Sequence, residues 1–307
     1  MSKTTPTAFD YLPPAEAFLE EGRADADRPD DARAVVIPFG LEGSVSYGGG
    51  TAAGPAAILA ASDQLELFDE ELWREAYLDY GIATIRQPEI ANGIAPALDK
   101  LADVVKSVLD AGKFPFVLGG EHSLTAGAIR PFAEQHPDLV VLQFDAHADL
   151  RDGYHGEHFS HASAMRRVLD HPNVSLVSVG IRAFSKEEAT YYEANHDRIR
   201  IHWGKDQATW DIEEIVAPLR DKPVYVTFDI DALDGGIMPA TGTPTPGGMQ
   251  YLQALAILRR AVEVGRIVGG DLVELAPMPG LHAADYTAAA LAYKMMNYAL
   301  SGTTPRP

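Results

Sequence analysis

Apolar and polar positions along the chain fall into two alternating patterns. Short continuous runs rich in valine, isoleucine, leucine and phenylalanine occur at Ala34–Phe39, 114–118, Val140–Phe144, 174–179, Ile199–Trp203, 224–228 and 267–275. Between several of them lie stretches with apolar positions at helical spacing, over 96–111, 124–135, 185–195, 212–220 and Tyr251–Val264. In the first of these, Leu98, Leu101, Val104, Val105 and Val108 fall on one helical face. Runs without polar alternation belong to strands buried on both sides, and the interleaved helices supply the cover. The pattern predicts an α/β fold built on a mainly parallel sheet with helices on both faces.

Composition sets the limits of this picture. The chain has 307 residues, 46% of them apolar, enough for one large α/β domain or two smaller ones. No internal repeat, low-complexity tract or linker follows residue 33, so residues 34–307 are expected to form a single domain. Residues 1–33 are polar, acidic and proline-containing, and read as an arm lying on the surface or on a neighbouring subunit. They lack the apolar core of a secretory signal, and no window approaches the roughly 18 apolar residues of a membrane span. A cytoplasmic protein is the expectation. The absence of cysteine excludes disulfides, zinc–thiolate sites, iron–sulfur clusters and cysteine nucleophiles. The formal net charge of −19 opposes binding to nucleic acid or anionic membranes and mildly favours a cationic substrate.

The candidate chemistry sits where apolar runs end. Val140-Val141-Leu142-Gln143-Phe144 leads into Asp145-Ala146-His147-Ala148-Asp149. If the chain stays extended, Asp145, His147 and Asp149 point to the same side. Further metal-competent residues follow other runs: His122 after Gly119-Gly120-Glu121, Asp229 and Asp231 after Thr227-Phe228, and Glu274 after Gly270-Asp271-Leu272-Val273. An isolated Asp-x-Asp at a strand end is most often a turn feature, and a lone histidine after two glycines is as often structural as ligating. Three such strand ends together point instead to a metal centre, because ligands of open α/β sheets bind beyond the carboxyl ends of the strands. Four aspartates and two histidines exceed what one divalent ion needs and suit two ions sharing bridging carboxylates. The oxygen-rich donor set suits Mn²⁺, with Fe²⁺, Co²⁺, Ni²⁺ or Zn²⁺ as alternatives. Two such ions about 3.5–4 Å apart lower the pKa of a shared water and hold a hydroxide at physiological pH.

Other motifs carry less. The glycine-rich stretch from Ser44 to Thr51 lacks the GxGxxG and P-loop spacings, and reads as a shaped loop on the substrate side. His155 and His158 read as loop or entrance residues, His282 as structural or interfacial, and Trp203, Trp210, Met295 and Met296 as packing.

Gly119-Gly120-Glu121-His122-Ser123, Asp145-Ala146-His147-Ala148-Asp149 and Thr227-Phe228-Asp229-Ile230-Asp231-Ala232-Leu233-Asp234 resemble the three signature motifs of the ureohydrolase (arginase/agmatinase) family. The resemblance implies a three-layer α/β/α domain around an eight-stranded parallel sheet, and hydrolysis of a guanidino group to urea and an amine. Carried over by position, it makes His122, Asp145, Asp149 and Asp229 ligands of one Mn²⁺, and Asp145, His147, Asp229 and Asp231 ligands of a second. Asp145 and Asp229 would bridge the two Mn²⁺ ions of each subunit. Glu274 matches the glutamate that pairs with the substrate guanidinium, and His161 the proton-shuttling histidine. Both roles suit the chemistry, since a carboxylate holds a planar guanidinium at two points and imidazole titrates near neutral pH. The sequence departs from the family pattern at Ala162, where glycine is usual, and at Gly235, where proline is usual.

Within the family, Thr241–Gly248, Val179–Arg182 and 149–163 look most like agmatinases, which convert agmatine to putrescine and urea. The loop Leu150-Arg151-Asp152-Gly153-Tyr154-His155-Gly156-Glu157-His158 lacks the asparagine- and serine-rich pattern by which arginases recognise an α-carboxylate. Its acidic residues suit a substrate without a carboxylate, whereas Arg151 would suit one that has it. Arginine, 4-guanidinobutyrate, an aminopropylated agmatine and guanidine are the alternative substrates. A non-catalytic regulatory relative and a two-metal phosphoesterase are the alternatives in kind. The family resemblance also implies a homo-oligomer, a trimer or hexamer.

Overall fold

The computed structural model describes residues 9–303, so the first eight positions of the expected N-terminal arm lie outside the described residues. Its strands are β1 (Ala34–Phe39), β2 (Phe68–Asp69), β3 (Arg74–Glu75), β4 (Ile82–Thr84), β5 (Phe114–Gly119), β6 (Val140–Phe144), β7 (Ser175–Ile181), β8 (Ile199–Trp203), β9 (Pro223–Asp229) and β10 (Arg266–Val273). Its α-helices are α1 (Gly54–Ser62), α2 (Ile94–Asp110), α3 (Thr125–Ala128), α4 (Arg130–Gln135), α5 (Ala164–Val168), α6 (Lys186–Ala194), α7 (Ile212–Val216), α8 (Tyr251–Val264) and α9 (His282–Ser301).

Eight strands make one sheet in the order β4-β1-β5-β10-β9-β6-β7-β8, and every pairing in it is parallel. Alternation along each strand divides the core in two. From β1, Ala34 and Val36 join a cluster with Ile58 of α1, Leu255 of α8 and Leu291 of α9. Val35, Ile37 and Phe39 join the opposite cluster, with Leu101 of α2, Phe132 of α4 and Met165 of α5. Both faces are therefore buried, which is why these strands are apolar without alternation.

Two expectations are corrected. The extended stretch expected to run from Val140 to Asp149 leaves strand geometry after Phe144, and Asp149 has φ of 54°, in the left-handed region. The helix expected over 124–135 is divided into α3 and α4. Pro131, in the first turn of α4, has no N–H with which to continue the ladder from α3.

The structure adds the edge strand β4, the β2–β3 hairpin and the long helix α9. Within the N-terminal stretch, Phe18 and Leu19 are buried among core residues. The Arg23 guanidinium donates to the carbonyls of Phe18 at 2.8 Å and Ile82 at 2.7 Å. Among the described residues no helix is long and apolar enough to cross a membrane.

Candidate metal centre and its cavity

Four neighbouring strands in the middle of the sheet, β5-β10-β9-β6, carry the candidate residues at their carboxyl ends. From β5 the chain passes through Gly120, where a Cβ would lie 2.1 Å from the Leu41 carbonyl oxygen, and reaches His122 in a single turn of 3-10 helix. Strand β10 delivers Glu274, β9 ends on Asp229 and turns into Asp231, and β6 leads to Asp145, His147 and Asp149. Parallel register places all four ends on one rim.

The side chains form two overlapping groups. His122 Nδ1 lies 3.0 Å from Asp145 Oδ2, 3.0 Å from Asp149 Oδ2 and 3.4 Å from Asp229 Oδ2. His147 Nδ1 lies 3.0 Å from Asp231 Oδ2 and 3.7 Å from Asp145 Oδ1. Among the described residues, His122, Asp145 and Asp149 form one set compact enough to hold a metal ion, and Asp145, His147 and Asp231 the other. Asp145 is common to both. Asp229 stands outside these compact sets, though its Oδ2 faces His122. Asp149 joins its set through its left-handed backbone rather than through strand alternation, a strained conformation of the kind found at functional sites.

Protein groups alone leave this cluster electrostatically awkward. Burial and the neighbouring Asp145 push the Asp149 carboxyl up to about 7. Burial and the charges of Asp231 and Asp145 raise Asp229 well above the carboxylate range. Burial would lower His147, yet Asp231 and Asp145 carry it up to about 12. Asp145 is also buried, and hydrogen bonds from His122 and His147 override the burial and hold it low. Acidic groups thus compete for too few protons, the situation a divalent cation relieves.

The outer hydrogen bonds fit that reading. His122 Nε2 lies 2.9 Å from Thr227 Oγ1, which in turn lies 3.4 Å from Thr125 Oγ1. The buried Asp271 carboxylate accepts the hydroxyls of Thr125 at 2.9 Å and Tyr225 at 2.8 Å. With the Thr125 proton given to Asp271, the Thr125 oxygen accepts the Thr227 hydroxyl and the Thr227 oxygen accepts the His122 Nε2 proton, so Nδ1, aimed at three carboxylate oxygens, is the nitrogen that gives up its proton when a cation takes that place. A cation among those oxygens makes that arrangement favourable, and the donor set fits a divalent ion of the Mn²⁺ type. Gln143 similarly donates to Asp145 Oδ2 at 2.8 Å while accepting the Ser178 hydroxyl at 2.6 Å.

A cavity of about 240 Å³ opens above the cluster. His122, His147, Asp149, His161, Asp229, Asp231 and Glu274 line it, and Asp145 lies beneath, fully buried. The eight candidate site residues His122, Asp145, His147, Asp149, His161, Asp229, Asp231 and Glu274 are thus brought together. The Glu274 Oε1 atom accepts the His122 backbone N–H at 2.7 Å, and burial pushes its carboxyl up to about 8. Burial, with the positive neighbours His147 and His122, lowers His161 to about 4. Val45, Ser46, Tyr47 and Gly48 of the glycine-rich loop form part of the wall.

The loop after Asp149 contributes differently from expectation. Arg151 and Tyr154 line the cavity, with the guanidinium 5.0 Å from the centre of the Tyr154 ring. Asp152 is paired with Arg167 at 2.8 Å, and Glu157 accepts the Phe159 N–H at 2.9 Å. The acidic residues of that loop are therefore engaged outside the cavity. His158 contacts Arg167, and His155 packs against Tyr154, so neither joins a metal-holding group. Ala162 is outside the left-handed region, so no glycine is needed at this position.

Residues 32–300 match the model of the arginase family. The chain belongs to the arginase family. This arginase-family chain is 37% identical to the N(1)-aminopropylagmatine ureohydrolase of Synechocystis sp. over 278 residues, covering 87% of this chain and 89% of that protein. It is 35% identical to the agmatinase of Bacillus anthracis over 255 residues, covering 81% and 85% respectively. Among solved structures, the agmatine ureohydrolase of Thermoplasma volcanium superposes with a TM-score of 0.79 at 27% identity, over 90% of this chain and 93% of that one.

Proposed function

We propose that this chain, a ureohydrolase of the agmatinase type, hydrolyses the guanidino group of agmatine to release urea and putrescine. The carrying observation is the convergence of His122, Asp145, His147, Asp149, Asp229 and Asp231 beneath a cavity that also presents Glu274 and His161. His122, Asp145, Asp149 and Asp229 would hold one divalent ion, and Asp145, His147, Asp229 and Asp231 a second, with Mn²⁺ the best match to the donors. Bound there, two such ions supply Lewis acidity and bring the pKa of a shared water towards neutrality.

The protein's own groups supply the rest. Glu274 has one oxygen held by the His122 N–H, and its carboxylate orients the planar guanidinium by charge-assisted hydrogen bonds. That cation in turn draws the raised Glu274 pKa down, since an opposite charge favours the ionised form. His161 is neutral at physiological pH because burial and positive neighbours lower it, so its ring can accept a proton and pass it to the departing amine. Tyr47, Tyr154 and Gly242 form part of the cavity wall around these groups.

N(1)-aminopropylagmatine is the second reading. The 37% identity to the Synechocystis enzyme of that name supports it. So does a further cavity of about 160 Å³ that shares His147, Asp149, Arg151 and Ala162 with the first and offers room for a longer tail. The test is urea release from agmatine, N(1)-aminopropylagmatine, arginine, 4-guanidinobutyrate and guanidine with Mn²⁺ added. Agmatine is expected to give the highest kcat/KM. Preference for the aminopropyl compound selects the second reading, preference for arginine or 4-guanidinobutyrate assigns Arg151 to a carboxylate, and no urea from any of them refutes the proposal.

A further inference from the structure

Glu121 is a charged group that neither the metal donors nor the guanidinium requires. It is fully buried. One carboxylate oxygen accepts the backbone N–H groups of Gly43 and Ser44, each at 2.6 Å. The other accepts the hydroxyls of Ser44 at 2.9 Å and Ser123 at 2.5 Å. Four donors converge on it, and an ionised carboxylate only accepts.

The consequence reaches His161 through Ser44. A serine hydroxyl has one proton and two lone pairs. The Ser44 proton is committed to Glu121. Its oxygen lies 2.9 Å from the His161 backbone nitrogen, which donates to it, and 3.1 Å from His161 Nδ1. With the hydroxyl proton spent, Ser44 meets Nδ1 only as an acceptor, so Nδ1 must carry the hydrogen. Nε2 is then the free lone pair, and the Ser46 hydroxyl meets it at 2.6 Å from the exposed side. A histidine side chain free in water mostly adopts the opposite tautomer, so this one is imposed by the fold.

We propose that Glu121 and Ser44 are positioning residues that lock His161 in its Nδ1–H tautomer, making Nε2 the nitrogen that exchanges protons with the reacting group. The inference rests on the reading of His161 as the proton carrier. Ser46 occupies Nε2 in the absence of substrate and turns away when a substrate nitrogen approaches. The fixed tautomer means that no rotation of the imidazole is needed between taking and giving the proton.

The experiment reads the tautomer directly. The full chain is labelled with ¹⁵N-histidine and loaded with diamagnetic Zn²⁺, then measured again after chelation, with His161 assigned by its loss in His161→Asn. The expected spectrum shows a pyrrole-like Nδ1 and a pyridine-like Nε2. In Glu121→Gln the side-chain oxygen can still accept the Gly43 and Ser44 amides, which turns its NH₂ towards Ser44 Oγ. The Ser44 proton is then released towards Nδ1, and the population shifts to the Nε2–H form. Ser44→Ala is expected to mix the tautomers and lower kcat by about 10- to 100-fold, less than the roughly 10⁴-fold a wrong histidine tautomer costs a serine protease. KM should change less than kcat, and Ser44→Thr should restore both. A wild-type Nε2–H spectrum, or an unchanged spectrum in Glu121→Gln, overturns the inference. If the tautomer responds as described while no guanidino compound releases urea, the positioning chain stands and the functional reading falls.

Discussion

The Glu274 carboxylate accepts the His122 backbone N–H at 2.7 Å, tying the ends of the neighbouring strands β10 and β5. The residue proposed to hold the substrate and a residue proposed to hold metal are thus fixed to one another through main chain. Glu274 is itself in a left-handed conformation, with φ of 67°, which turns its side chain out of strand alternation and across to His122. Glu274→Gln can keep this hydrogen bond but removes the charge opposite the guanidinium. Metal content should remain at the wild-type level while kcat/KM falls by on the order of 100-fold or more. Full activity in this variant would contradict the assigned role.

Asp229 offers one oxygen to His122 Nδ1 at 3.4 Å, and its other oxygen accepts the Asp231 N–H at 2.8 Å. As a proposed bridge it contributes to both ion sites. Asp229→Asn should therefore lower bound metal and urea release together, read by elemental analysis beside the activity assay. Retention of both ions would remove Asp229 from the bridging position.

The chain Thr227–Thr125–Asp271 orients His122 without facing the cavity. Thr227→Val or Asp271→Asn should weaken binding of at least one ion by about 10- to 100-fold, the usual cost of losing such an outer partner. Competition with a metal-sensitive dye measures this without any substrate. Wild-type affinity in both variants would mean that the His122 tautomer is set elsewhere.

Chelation should make stability depend on pH with a definite sign. Asp149 is raised to about 7, Glu274 to about 8 and His147 to about 12, and each binds its proton more tightly folded than unfolded. Their stabilising contributions are full below the unfolded pKa values and are lost as pH rises through the folded ones. His161, lowered to about 4, acts oppositely, but only below its ordinary value. From about pH 6.5 to 8.5 the Tm of chelated protein should fall by a few degrees, while the metal-loaded Tm stays higher and flatter. A Tm of chelated protein that rises across this interval would contradict these assignments.

The sheet was legible because its long strands are apolar on both faces, and the strand order then placed four separate motifs side by side. The edge strand Ile82–Thr84 is too short to stand out, and α9 is too rich in alanine and buried apolar residues to show one clear apolar face. The metal-type residues were readable individually, but the route by which Asp149 reaches His122 was not, since a left-handed aspartate leaves no periodic trace. Ser44, Glu121, Thr227 and Asp271 stand in the sequence motifs with no role of their own, for a different reason. Their importance comes from hydrogen bonds between residues distant in sequence, such as Ser44 with His161, which no local pattern encodes.

Counting metal ions in purified, manganese-reconstituted protein tests the central claim most directly. Elemental analysis should give about two ions per chain, one for the group around His122 and one for that around His147. A single ion, or none, at saturating manganese would contradict it.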